Sequence, residues 1–303
     1  MYIYIIMVKN KSIEIFTPKK SEFAIETTDD FIKLPCLTVI NGKRHSGKTL
    51  ATVNYIREMK NRGYCDRCLV ITPTYDSNKS TWDIAKIEAE DCFDPSKHVL
   101  KTIRKIIQEE KDAWDRYKEE MKMYREYLSV IAGNSLNLKD SKLIERLLLY
   151  SDMNFLDGPP KYKYGNRPAR LSLVIDDSMG TDIMLPSAGL TKFVIAHRHW
   201  SQGMGISVFM LVQSYTAGAS QGLSRAIREQ TTQLWLFKIA QEKQLQLIYQ
   251  EADLDINYEK YIKLCNIIHE EQYNFLLLDF NAKTPDKKYR NGFKEFIPIT
   301  TLD

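Results

Sequence analysis

Residues 41–50 read NGKRHSGKTL and meet the pattern G-x-x-x-x-G-K-[ST] at Gly42, Gly47, Lys48 and Thr49. They follow LPCLTVI, whose apolar continuity reads as a buried strand. After them comes LATVNYIREMKNRG, a helix with Leu50, Val53 and Ile56 on one face and Gly63 where a C-cap belongs. A strand, a glycine turn and a helix in this order leave few folds open. Successive N–H groups of the turn point inward and the helix N-terminus adds partial positive charge, so the segment suits a phosphate. In such a loop Lys48 reaches the β- and γ-phosphates of ATP and Thr49 offers its hydroxyl to Mg2+. The candidate nucleotide contacts are Gly42, Lys43, Arg44, His45, Ser46, Gly47, Lys48, Thr49 and Leu50.

A second apolar run, LSLVIDD, ends in Asp176 and Asp177. In a phosphate-loop fold the first acid of such a pair holds the metal. The second is placed to orient and deprotonate a water, which favours hydrolysis over phosphotransfer. ISVFMLVQS then carries Gln213 to the end of a further apolar strand, where a polar side chain sits near the γ-phosphate in ATPases that use a catalytic acid. Arg198 in HRHW, and Arg225 and Arg228 in LSRAIREQTTQLWLF, are candidates for a cation delivered to a neighbouring subunit's γ-phosphate; the alternative is an ordinary salt-bridged arginine.

Strands CLVITPT, LSLVIDD, ISVFMLVQS, QLWLFKIA and YNFLLLDF, separated by helical stretches, predict a mostly parallel, helix-covered sheet. Asn291-Gly292 predicts a C-terminal hairpin. YIYIIMV, SIEIF and FAIET are β-like runs before the core. The expected organisation is one ATPase domain over 1–303, with N-terminal strands in 1–33, the core in 34–75 and 166–303, and a helical insertion over 76–165. In that insertion Leu100, Ile103, Ile107, Trp114, Tyr117, Met121, Tyr124, Leu128 and Ile131 recur at 3–4 spacing, with Glu110 the one polar member of the seam. This predicts a helix on the order of 48 Å long. DSKLIERLLLY (140–150) reads as a second helix that folds back on it. The stripe is packing in the simpler reading and a protruding contact surface in the other.

Hydrophobic residues are 44% of the 303 and charged residues 27%, a composition with ample material for a core. The net charge of +4 permits a nucleic-acid partner without requiring one. Five cysteines and no secretory signal predict a reducing compartment, and no apolar run reaches transmembrane length. Cys65 and Cys68 with Cys92 and His98 raise a zinc site with irregular spacing, against which stands a plain reduced thiol pair. GPPKYKYGNRPAR (158–170) interleaves Lys161, Lys163, Arg167 and Arg170 with two tyrosines, either a nucleic-acid contact or a solvated loop.

Taken together, INGKRHSGKTLATVNYIREM, LVITPTYDSN, LVIDDSM, RHWSQGMGISVFMLVQS and LSRAIREQTTQLWLF resemble the FtsK/HerA superfamily of DNA-pumping ATPases. The similarity is strongest to the poxvirus-type genome-packaging ATPases of large double-stranded DNA viruses, and it covers about 34–75 and 170–240. It implies an α/β phosphate-loop NTPase of the additional-strand, RecA-like kind. Lys48 and Thr49 would take the phosphate and metal roles, Asp176 the metal role, Asp177 the base role and Gln213 the sensor role. Arg198 or Arg228 would be the trans-acting finger. The implied function is ATP hydrolysis with Mg2+ in a homo-oligomeric ring of five or six subunits. The ring would drive double-stranded DNA into a capsid, the alternatives being a phosphate-loop kinase of a nucleotide or small molecule, or a non-motor ATP-dependent assembly protein. Capsid or portal-vertex proteins are the implied further partners, and the virion and the cytoplasmic virus factory the implied location. A transporter-type ATPase is disfavoured because no L-S-G-G-Q-like signature occurs, and a GTPase because SNKS at 77–80 lacks the aspartate of N-K-x-D.

Overall fold

In the computed structural model, which describes residues 21–132, 145, 155–216, 222–239 and 241–298, the apolar runs become one sheet. Its strands are β1 (Leu37–Asn41), β2 (Arg67–Ile71), β3 (Cys92–Phe93), β4 (Leu171–Ile175), β5 (Ser207–Val212), β6 (Gln233–Phe237), β7 (Phe275–Asp279), β8 (Tyr289–Asn291) and β9 (Glu295–Phe296). They lie in the order β3-β2-β4-β5-β1-β6-β7-β8-β9. The pairs from β3 across to β6 are parallel, and β7, β8 and β9 add antiparallel. β5 is inserted between β1 and β4, pairing Asn41 with Val212 on one side and Ile175 with Met210 on the other. This is the mostly parallel sheet with an additional central strand that the sequence predicted, closed by the hairpin expected at Asn291-Gly292.

The central strands are continuous apolar runs because helices cover both faces. Alternate residues separate the two layers. Ile40, Val70, Val174, Phe209 and Trp235 pack with Val53, Ile56 and Met59 of α1 (Lys48–Asn61) and Trp82 of α2 (Tyr75–Asp83). Val39, Leu69, Leu173, Val208 and Leu234 face the other layer. That layer is built from α3 (Val99–Ile131), α4 (Leu190–Ile195), α5 (Arg225–Glu229), α6 (Glu242–Glu251) and α7 (Tyr258–Ile268). Among the described residues no helix is long and apolar enough to cross a membrane.

The region 76–165 contributes more than helix, since β3 extends the parallel sheet beside β2 before α3 begins. The seam of α3 divides. Leu100, Ile103, Ile107, Trp114 and Tyr117 are buried in the core, whereas Leu128 and Ile131 are exposed. The N-terminal half is therefore core packing, with Arg104 stacked over Trp200 at 4.3 Å. FAIET makes one antiparallel bridge, Ile25 to Leu34, rather than a strand. The runs expected within 1–20 and the helix over 140–150 fall outside the described residues, position 145 excepted.

Glu110, the one polar member of the seam, is 3% exposed and has a partner on each side. Its Oε1 accepts from Arg67 Nη1 at 3.0 Å and from Lys163 Nζ at 2.7 Å. Arg67 also donates to Asp91 Oδ1 from Nε at 2.9 Å and Nη2 at 2.7 Å, so one guanidinium fastens β2 to α3 and to the turn before β3. The loop 158–170 is engaged in the same way. Arg167 grips Asp66 with two bonds and Arg170 donates to Gly63 O, which leaves the loop's charge largely committed within the chain. Removing the carboxylate takes the partner from Arg67 Nη1, which keeps only its Asp91 bonds, and from Lys163 Nζ. Glu110→Ala is expected to cost roughly 2–4 kcal/mol in urea unfolding, more than Lys163→Ala at the exposed end of the network.

Candidate nucleotide site

The loop leaves the carboxyl end of β1, and the neighbouring strands bring the acids to the same edge. Gly42, Asp176 and Gln213 are each the first residue past their strand, β1, β4 and β5. Parallel register aligns those ends, and Gly42 N donates to Val212 O at 3.1 Å. Gly42 is required by space: a Cβ there would lie 2.6 Å from Phe237 Cβ and 2.7 Å from Ser46 Oγ. Gly47 is required by conformation, with φ of 95° at the N-cap of α1. His45, at φ 61°, supplies the other left-handed turn of the loop. Such turns of the backbone aim N–H groups into one concavity.

Lys48 is buried, and its Nζ donates to Gly42 O at 2.7 Å and Lys43 O at 2.8 Å. Burial lowers its pKa, and the charges of Asp176 and Asp177 oppose that. Thr49 Oγ1 donates to Asp176 Oδ2 at 2.9 Å. Burial pushes the Asp176 carboxyl up to about 6; the Thr49 bond works against this and the Asp177 charge adds to it. Asp177 takes φ of 48°, a left-handed position that aspartate tolerates better than most residues. Its Oδ1 accepts from Gln213 Nε2 at 2.9 Å. Lys43, Arg44 and His45 are exposed around the loop. A hydroxyl and a carboxylate held this close, both hard oxygen donors beside a phosphate loop, fit Mg2+, which takes few protein ligands and completes its shell from phosphate and water. Among the described residues no group of three or more His, Cys, Asp or Glu side chains could hold a metal ion by themselves. Cys65 and Cys68 are buried, with Sγ donating to Arg67 O and Leu69 O, and burial pushes the Cys65 thiol up to about 11.

These residues line one cleft of about 890 Å³. Its further walls are Thr74, Ser77 and Asn78 at the start of α2, the loop Glu271–Asn274 before β7, and the β8–β9 turn Gly292–Lys294. The last two groups were not legible in the sequence as site residues. Asn291-Gly292 marks a hairpin but not the antiparallel extension of the sheet that folds it back over the loop.

The finger candidates sit elsewhere. Arg228 is held within its own subunit, contrary to a free cation: it binds Glu251 with two bonds of 2.7 and 2.8 Å, donates to Leu223 O at 2.6 Å and lies over Tyr215. Arg225 pairs with Glu229 one turn along α5. Arg198 is exposed and follows α4 at the amino end of β5, where Ile206 N donates to His197 O at 2.9 Å. That is the opposite edge of the sheet from Lys48, so Arg198 is not placed to serve its own loop. Beside it, His197 is buried with Nδ1 2.8 Å from Val194 O, the tautomer in which Nδ1–H donates, and its Nε2 has no partner.

No family model and no curated protein matches the chain. Solved structures do. One is the genome packaging NTPase B204 from Sulfolobus turreted icosahedral virus 2 in complex with ATP-gammaS, at TM-score 0.39 and 15% identity, covering 82% of this chain and 94% of that one. EssC (ATPases 2 and 3) from Geobacillus thermodenitrificans aligns at TM-score 0.44 and 8% identity over 86% of this chain and 40% of its own. VirB4 of Thermoanaerobacter pseudethanolicus aligns at 0.42 and 11% over 86% and 90%. The likeness lies in the course of the chain; the site is defined by the residues placed above.

Burial lowers the His197 pKa to about 4, the backbone bond to Val194 opposing and Arg198 adding to the shift. A depressed value means that the neutral ring stabilises the fold above the unfolded value near 6.5 and that this is lost as pH falls through about 4. Between pH 7 and 4 the wild type is expected to lose up to about 3 kcal/mol more stability than His197→Gln, read from urea midpoints across pH.

Proposed function

We propose that this chain hydrolyses ATP with Mg2+ and acts as a motor that drives double-stranded DNA into a viral capsid as a homo-oligomeric ring. The observation that carries the hydrolytic part is the double link at the strand ends: Thr49 to Asp176 at 2.9 Å and Asp177 to Gln213 at 2.9 Å, beside Lys48. The loop amides and the Lys48 ammonium hold the β- and γ-phosphates. Thr49 and Asp176 would hold Mg2+, which when bound would neutralise phosphate charge. Asp177 accepts the proton of the attacking water as its oxygen bonds to the γ-phosphorus, and the bond to the bridging oxygen breaks to release ADP. Gln213 holds the Asp177 carboxylate in place and lines the same cleft, from which it would sense the γ-phosphate.

The motor part is supported by the ordered motif set and its resemblance to the FtsK/HerA packaging branch. It is also consistent with an exposed Arg198 that lies away from its own loop and so is free to meet a neighbouring subunit. Capsid or portal-vertex proteins are the proposed further partners, and the virion and virus factory the proposed place of action.

Phosphate release from ATP, measured with and without duplex DNA, tests the reading. Duplex should stimulate release. Lys48→Ala should lose ATP binding, whereas Asp177→Asn should keep binding and lose turnover by roughly 10²–10⁴-fold. Unchanged turnover in Asp177→Asn would sink the assignment of the base. Hydrolysis that ignores duplex would sink the motor, and phosphoryl transfer to a nucleoside monophosphate would put a kinase in its place.

A further inference from the structure

The cleft is larger than a triphosphate needs, and its wall carries exposed apolar side chains among the polar ones. Among the described residues eight large hydrophobic side chains are exposed, and three of them, Leu50, Tyr273 and Phe293, line this one cleft. Scattered exposed apolar residues need no explanation, but three converging beside a phosphate loop do.

Each is set in place by something other than its own burial. Leu50 stands on the first turn of α1, 50% exposed. Phe293 has its back to the core, stacked on Tyr55 at 5.0 Å and edge-on to Trp235 at 4.9 Å and Phe275 at 5.0 Å, yet remains 45% exposed. Tyr273 is 61% exposed, and its ring lies against Gly47, with Cδ1 3.3 Å from where a Cβ on that glycine would stand. Its φ is 66°, an unfavourable position for an aromatic residue that persists only when the surroundings impose it. Here they do. Asn274 Nδ2 donates to Asn291 Oδ1 at 2.6 Å, Gly292 N donates to Phe275 O at 2.8 Å, and Lys294 pairs with Glu271 at 2.9 Å, so the loop before β7 is tied to the β8–β9 turn.

We infer that Tyr273, Phe293 and Leu50 form the slot for the base of a purine nucleoside triphosphate whose phosphates lie on the loop. The inference rests on the nucleotide reading above and adds the residues that read the base. Aromatic faces stack on any base, and a purine offers the larger face, so the slot selects purine over pyrimidine more strongly than adenine over guanine.

Calorimetric titration of the whole protein with Mg-ATP, Mg-CTP and Mg-tripolyphosphate separates the two claims. Wild type should bind ATP more tightly than CTP, and both more tightly than tripolyphosphate. Tyr273→Ala should weaken ATP binding roughly 5- to 150-fold while leaving tripolyphosphate affinity unchanged, and Tyr273→Phe should restore it. Because Phe293 also packs on Tyr55, Phe293→Leu is the gentler variant; it should shift ATP affinity in the same direction without lowering the melting temperature. An ATP-to-tripolyphosphate ratio unchanged by Tyr273→Ala and Phe293→Leu would overturn the slot while leaving the phosphate site standing. A change in oligomeric state at constant ratio would likewise overturn it, by making the patch a subunit contact. If wild type bound neither ATP nor tripolyphosphate, the nucleotide reading would fail and the slot with it.

Discussion

Thr49 and Asp176 are separated by 127 positions in the chain and joined by a hydrogen bond of 2.9 Å. Nothing local holds them together. The bond exists because β5 lies between β1 and β4 with all three parallel, so that the ends of the strands come level at one edge. A slip of one residue in either pairing would turn every core side chain of a strand to the other face. It would also take the acid away from the loop. The buried alternation of Ile40, Phe209 and Val174 against Val39, Val208 and Leu173 is therefore what fixes the site's geometry.

The same edge shows how charge is arranged around that geometry. Asp176 is almost wholly buried, and its carboxyl is pushed up to about 6 mainly by that burial, with the neighbouring Asp177 adding to it. Lys48 is shifted the opposite way by the same burial. Both groups are held where their charged forms are disfavoured, in a cleft whose loop favours anions. A magnesium triphosphate would bring charge of each sign to the place that lacks it. This is a physical reason for the site to bind the pair rather than either alone.

Much of this was legible in the sequence because it is local. Gly42 to Thr49 is a contiguous pattern, and the apolar runs ending in Asp176 and Gln213 announce strand ends without reference to anything distant. The Glu110 break in the seam of α3 was visible, but its partners Arg67 and Lys163 come from other elements and were not. For Arg228 a delivered cation and a salt-bridged arginine both stayed open, because Glu251, 23 residues on, cannot be seen from its own segment. Tyr273 and Phe293 were missed for the same reason. Their signal is a residual exposure, joined at Tyr273 by a left-handed φ, in loops that the antiparallel addition of β7 and β8 brings beside the phosphate loop.

The central claim is that the edge formed by β1, β4 and β5 is where a nucleoside triphosphate is bound and cut. A structure by electron microscopy with a non-hydrolysable ATP analogue, Mg2+ and duplex DNA tests it most directly. The account predicts density for the β-phosphate on the amides of Ser46 to Thr49, for the metal at Thr49 and Asp176, and for Arg198 of one subunit facing the nucleotide of the next. A nucleotide bound anywhere else, or a γ-phosphate out of reach of Asp177 and Gln213, would contradict it.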